Sequence, residues 1–140
     1  MSRSRIRVIN PNSNRVVTKA LEDALKPLGF ADGPEIVCET LDEGPYGIES
    51  QADADSVIVP LRRLVEGDNR SAAFVIACYS DPGLHACREA TERPVFGIAE
   101  CGVLTALSRA KLRCYRDRSA LDSPPCSLSP ADAADGPDGR

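Results

Sequence analysis

The chain of 140 residues contains a single histidine, His85, and that scarcity excludes a large part of catalytic chemistry. A Ser-His-Asp or Cys-His arrangement would have to use it. His85 falls one helical turn beyond Asp81, on the same expected helix as its would-be partners, whereas a triad gathers its members from separate elements. It reads as a helix-surface residue. Closely spaced cysteine pairs are also missing. The six cysteines are Cys38, Cys78, Cys87, Cys101, Cys114 and Cys126, and no two are separated by just two residues, which removes zinc-knuckle and thioredoxin-like motifs. No apolar run approaches the length needed to cross a bilayer. The basic start, Met1-Ser2-Arg3-Ser4-Arg5, leads into a strand-like stretch too short for a secretory signal. The expected location is therefore the cytoplasm, where the cysteines are reduced thiols. An excess of Lys and Arg is lacking as well. The net charge of −4 argues against nucleic acid or an anionic membrane as partner, because such binding rests on clustered cations neutralising phosphate.

What is present is the composition of an ordinary globular protein, 42% hydrophobic and 27% charged, with length enough for one core. Arg5 to Ile9 predicts a first strand, followed by the loop Asn10-Pro11-Asn12-Ser13. A helix is expected from about Asn12 to Leu28, with Val16, Val17, Ala20, Leu21, Ala24 and Leu25 on one face and Gly29 closing it. Glu35 to Leu41 predicts a second strand between turn residues. A helical stretch from about Ile48 follows, broken or kinked at Pro60 before Leu61 to Glu66. Phe74 to Ala77 predicts a third, fully buried strand. A third helix is expected over Asp81 to Thr91, then a strand at Val95 to Ile98 and a helix from Glu100 to about Ala110. Strand alternating with helix in this way predicts an α/β fold: a parallel sheet of about four strands with flanking helices, over residues 1–110. Residues 111–140 change character. Lys111 to Arg118 is a basic run without apolar period, and Ser119 to Arg140 has the composition of a disordered tail.

In a parallel sheet, ligands bind beyond the carboxyl ends of the strands. The loops expected on that edge carry Asn10 to Ser13, Glu43-Gly44-Pro45, Cys78 to Asp81, and Glu100-Cys101-Gly102. One thiol, several amides and hydroxyls and two carboxylates would converge there, as in a small-molecule site. Cys78 is the residue with the strongest chemical signal. Asp81 reads as the N-cap of the next helix and Pro82 as its first residue, so a helix N-terminus close by would favour thiolate. Asn10 and Asn12 serve equally as helix caps or ligand contacts. Glu49 serves equally as a helix-terminus residue or a substrate contact, Glu100 reads as a cap, and Cys38 and Cys87 read as packing.

Three segments together resemble the aspartate/glutamate/hydantoin racemase superfamily, in its hydantoin and allantoin racemase branch. They are Val8-Ile9-Asn10-Pro11-Asn12-Ser13, then Gly44-Pro45-Tyr46-Gly47-Ile48-Glu49-Ser50, then Ile76-Ala77-Cys78-Tyr79-Ser80-Asp81-Pro82-Gly83-Leu84 with Pro94 to Glu100 after it. The resemblance covers about Arg5 to Ser108. It implies one lobe of a two-lobe racemase fold and a racemase that needs no cofactor and no metal, with a thiol on each face of the substrate's Cα. Cys78 matches the first of these. By resemblance Asn10 holds the substrate's polar edge, and Ser80 and Asp81 orient the thiol loop.

The second cysteine of that pattern has no match. Cys114 and Cys126 lie in the irregular tail without a preceding strand, and Cys101 matches no catalytic position of the family. A truncated or frame-shifted end after about Ser108, with impaired racemisation, is the corresponding expectation. Two other functions remain open: decarboxylation of an arylmalonate-like acid, which needs one thiol, and a non-catalytic fragment. A half-interface left exposed would favour homo-oligomers.

Overall fold

Short runs of branched apolar residues, each bounded by turn formers, become the strands of one parallel sheet. In the computed structural model, which describes residues 4–109, these are β1 (Arg5–Asn10), β2 (Glu35–Thr40), β3 (Ser71–Ile76) and β4 (Val95–Gly97), in spatial order β2-β1-β3-β4. The register is regular where it matters: Val8 faces Cys38 on one side and Val75 on the other, and Ile76 faces Gly97. The intervening helices are α1 (Arg15–Leu25), α2 (Gln51–Ser56), α3 (Ile58–Gly67), α4 (Leu84–Glu89) and α5 (Ile98–Arg109). The α/β architecture matches the expectation.

Successive strand residues point to opposite faces of the sheet, and the two faces are used differently. Ile9, Phe74, Ile76 and Val95 point into a core completed by Val57, Leu61 and Val65 before and within α3, and by Leu84 and Cys87 of α4. Each fully buried side chain of this kind contributes about 1.5–3 kcal/mol relative to exposure. On the other face Asn10 meets α1, and the hydroxyls of Thr18 and Thr40 pair at 2.6 Å.

Several element ends depart from the expected ones, each for a local reason. Helix α1 begins at Arg15, because Asn14 and not Asn12 is the cap, its Oδ1 accepting from the Val16 N–H at 3.0 Å. It gives way at Lys26 to a single 3-10 turn containing Pro27. Only Val17, Leu21 and Leu25 of its expected apolar face are half-buried, while Val16, Ala20 and Ala24 are exposed, since the helix lies against one side of the sheet. Pro60 does not break a helix. The break lies at Val57, and Pro60 is the third residue of α3, where an N–H would have no intrahelical acceptor in any case. Helix α4 begins at Leu84 with Gly83 as N-cap, so Asp81 and Pro82 do not start it.

The amino-terminal edge of the sheet is clamped by ionic groups. Asp68, 7% exposed, accepts from the Arg70 and Ser71 N–H groups, from the Ser71 hydroxyl at 2.6 Å and from Arg7 at 2.8 Å. Burial by itself pushes its carboxyl up, but the Ser71 hydroxyl, the two N–H groups and the Arg7 charge together hold it well below the usual carboxylate range. Arg93 donates to the carbonyls of Ser71 and Asp68 and stacks over Phe74 at 5.5 Å.

The chain divides after Leu104, and beyond that point only residues 105–109 are described, as the last turns of α5. The tail expected at 111–140, with Cys114 and Cys126, lies outside the described residues. Among the described residues no helix is long and apolar enough to cross a membrane.

Candidate active site

Strand order reverses between β1 and β3, since the chain moves outward to β2 on one side and to β4 on the other. At such a switch point the flanking loops turn away from each other and leave a crevice at the strands' carboxyl ends, where α/β sheets bind ligands. The residues that end there are Asn10 on β1 and, just after β3, Ala77 and Cys78. The Ala77 N–H still donates to the Ile9 carbonyl at 2.8 Å, so Cys78 is the first residue to leave the sheet. The topology thus places Cys78 beside the crevice.

Cys78 is half-buried. Its Sγ lies 3.3 Å from the Ser80 hydroxyl, within sulfur hydrogen-bond range, and its carbonyl accepts the Asp81 N–H at 3.0 Å, closing a turn. The other described thiols differ. Burial, helped by the Glu22 charge, pushes the Cys38 thiol up. Burial pushes Cys87 up to about 11, with Arg62 acting weakly the other way. Both therefore stay protonated near neutral pH, which suits packing and not proton transfer. Cys101 lies in the first turn of α5.

The neighbouring loops are tied to one another. The Ser13 N–H donates to the Pro45 carbonyl at 2.8 Å, and Leu41 N–H to the Asn10 carbonyl at 2.9 Å. Gly44 packs against the Pro11 carbonyl so closely that a Cβ would collide with it. Asn10, which is 0% exposed, spends its carboxamide inside this assembly: Nδ2 reaches Asn12 Oδ1, the Asn14 carbonyl and Thr18 Oγ1, and Oδ1 accepts from the Asn12 N–H. It orders the loop from within instead of facing the crevice. Among the described residues, Asn12 Nδ2 donates to no protein acceptor, and Asn12 is only half-buried.

Asp81 departs furthest from expectation. Its backbone is left-handed, φ 43°, a region Asp tolerates better than most residues. Its carboxylate caps α5, not the helix that follows it, accepting from Ala99 N–H at 3.0 Å and Glu100 N–H at 2.7 Å. Glu100 is accordingly not a cap. Its carboxylate pairs with Arg88, whose hydrogen bond holds it below the usual carboxylate range. Glu49 is exposed one residue before Ser50, which caps α2 reciprocally with Asp53. The helix terminus is thus served by Asp53. His85 is exposed, as its spacing indicates.

Two open grooves, of about 380 and 400 Å³, run along α1 and β2. Neither includes Cys78, and their one thiol is the protonated Cys38. The chemistry favours the switch point over these grooves. No group of three His, Cys, Asp or Glu side chains able to hold a metal ion occurs among the described residues.

The model of the family described as Asp/Glu/Hydantoin racemase matches residues 6–115. The chain belongs to that family. It is 43% identical over 105 residues to a hydantoin racemase of Pseudomonas sp. (strain NS671), covering 73% of this chain and 41% of that one. A hydantoin racemase of Paenarthrobacter aurescens is 39% identical over 102 residues, covering 71% and 43%. Among solved structures, an allantoin racemase from Klebsiella pneumoniae superposes with a TM-score of 0.70 at 33% identity, covering 76% of this chain and 44% of that one. The chain spans about two fifths of the length of these relatives. The racemase family read from the three motifs is thereby shown, together with its α/β fold.

Proposed function

We propose that this racemase-family chain carries one proton-transfer group of a cofactor-independent racemase, with Cys78 as that group and a hydantoin, allantoin or amino-acid-like molecule as substrate. The observation that carries the reading is the thiol's position at the β1–β3 switch point beside the Ser80 hydroxyl. The similarity to hydantoin and allantoin racemases supports the substrate class.

The chemistry follows from these groups. The substrate's Cα–H is acidic because the adjoining carbonyl takes up the electron pair as the C–H bond breaks. The Cys78 thiolate accepts that proton and becomes a thiol, and negative charge develops on the carbonyl oxygen. A base must lie within hydrogen-bond reach of the proton, and donors aimed at the developing charge lower the barrier. Asn12 Nδ2, on the loop that follows β1, has no protein acceptor among the described residues and is a side-chain donor available for this. Return of a proton from the same face restores the starting enantiomer; delivery from the opposite face inverts it.

The test is proton–deuterium exchange. Enantiopure hydantoins and allantoin are incubated in deuterated buffer, with Cα–H loss followed by NMR and inversion by polarimetry. Exchange above the buffer rate that disappears in Cys78→Ala is expected. Equal rates for the two proteins overturn the reading. A second reading, decarboxylation of an arylmalonate-like acid, is favoured by Cys78 being the one thiol at the switch point among the described residues, since protonating a planar intermediate needs one thiol. Gas release that depends on Cys78, without Cα exchange, would establish it instead.

A further inference from the structure

The loop that carries Cys78 is held at a point remote in sequence. Asp81 closes the Cys78 turn through its N–H while both oxygens of its carboxylate are engaged by the first N–H groups of α5. This bridge fits only because residue 97 is glycine. A Cβ on Gly97 would collide with the Asp81 carboxyl carbon and both of its oxygens. Gly97 has no positive φ, so the glycine serves space and not backbone freedom.

We propose that Asp81 and Gly97 form a matched pair that positions Cys78: the carboxylate anchors the thiol's turn to the N-terminus of α5, and the missing side chain at residue 97 leaves the room for it. Asp81 is thus assigned as a positioning residue, because both carboxylate oxygens are already turned to the α5 N–H groups. The proposal rests on Cys78 being the proton-transfer thiol, but it concerns where that thiol is held. It is therefore tested by thiol accessibility, which does not require turnover.

A turn released from its anchor exposes its half-buried sulfur more often, and alkylation of a thiol follows its exposure. The experiment measures iodoacetamide labelling of each cysteine by peptide mass spectrometry, at one pH, in the wild type and in Asp81→Ala, Asp81→Asn and Gly97→Ala. Thermal melts establish that each variant is folded. Asp81→Asn keeps an oxygen acceptor for one of the two α5 N–H groups, and Gly97→Ala keeps the carboxylate but drives it from its seat. Labelling of Cys78 is expected to rise about fivefold or more in Asp81→Ala and in Gly97→Ala, and by less in Asp81→Asn. Labelling of the buried Cys87 is expected not to change, because the effect is confined to one turn. Cys78 rates that are unchanged in Gly97→Ala, or a parallel rise at Cys87 in the folded variants, overturn the proposal. Should Asp81→Ala fail to fold, Gly97→Ala and Asp81→Asn decide it between them. Failure here with Cys78-dependent exchange intact would leave the racemase reading standing, and the reverse result would leave the anchor standing.

Discussion

The hydroxyl of Ser80 lies 3.3 Å from the sulfur of Cys78, two residues back along the same turn. The contact fixes where the sulfur sits within its turn. Both residues belong to one tight turn, so their spacing is set locally, while the position of the pair is set by the sheet. Ser80→Ala should therefore slow Cα exchange about fivefold, the effect of one modest hydrogen bond, with little change in KM. Steady-state exchange kinetics check this, and an unchanged kcat would show that the hydroxyl does not serve the thiol.

Cys78→Ala should lower Cα exchange by about a hundredfold or more, the usual contribution of a general base, while leaving the melting temperature almost unchanged. Cys78 is half-buried and outside the hydrophobic core, so little packing is lost. Parallel NMR and melting measurements separate loss of chemistry from loss of fold.

Gly44 and Gly67 should respond oppositely to alanine. At Gly44 a Cβ meets the Pro11 backbone, which cannot rotate away, and overpacking of this kind costs about 1–3 kcal/mol. At Gly67, the last residue of α3, nothing lies within 4 Å of the place an alanine methyl would take, and the substitution should stabilise the helix by about 0.5 kcal/mol. Urea unfolding of the two variants gives both values.

Asp68 should make the fold sensitive to acid. Its carboxyl is held below its ordinary value in the folded chain, so the unfolded chain binds a proton at higher pH than the folded one. Its contribution is complete above the unfolded value of about 4 and is lost progressively as pH falls below that. Asp68→Asn should cost about 3 kcal/mol at neutral pH, because Arg7 and the Ser71 donors lose a buried anion, and the variant's stability should vary less with pH below about 4. Denaturant titrations across the acid range measure both slopes.

Cys87 should resist alkylation in the folded protein and react only on unfolding. It is fully buried in the core and its thiol is pushed up to about 11 by that burial. Labelling with and without denaturant checks this, and fast labelling of native protein would contradict the packing described.

The regular parts of the fold were legible because their signals are local. Phe74 to Ile76 is a run of apolar residues that reads as a strand, and the structure places it in β3, with Phe74 and Ile76 buried and Val75, on the other face, half-buried instead of fully enclosed. The carboxyl-edge position of Cys78 followed from strand and helix alternation alone. The Asn10 to Ser13 loop was legible as a loop, but the division of labour among its three asparagines was not. Asn10, Asn12 and Asn14 have the same side chain, and which is buried, which bridges and which caps depends on Thr18 and on the entry angle of α1. Pro60 misled because proline suits the first turn of a helix as well as it breaks one, and only the end of α2 at Ser56 shows which applies.

The sequence by itself determined the strands, the loops that carry the chemistry, the family and the thiol to examine, since each is written in patterns a few residues long. Tertiary structure alone decided the strand order that opens a crevice beside Cys78, and the partner of Asp81. Asp81 followed by Pro82 has the local pattern of a helix start, and nothing within that segment points to Ala99, 18 residues away. A carboxylate takes whichever free N–H groups the folded sheet brings to it. Here β3 and β4 are neighbours, residue 97 has no side chain, and the nearest unsatisfied donors are those of α5.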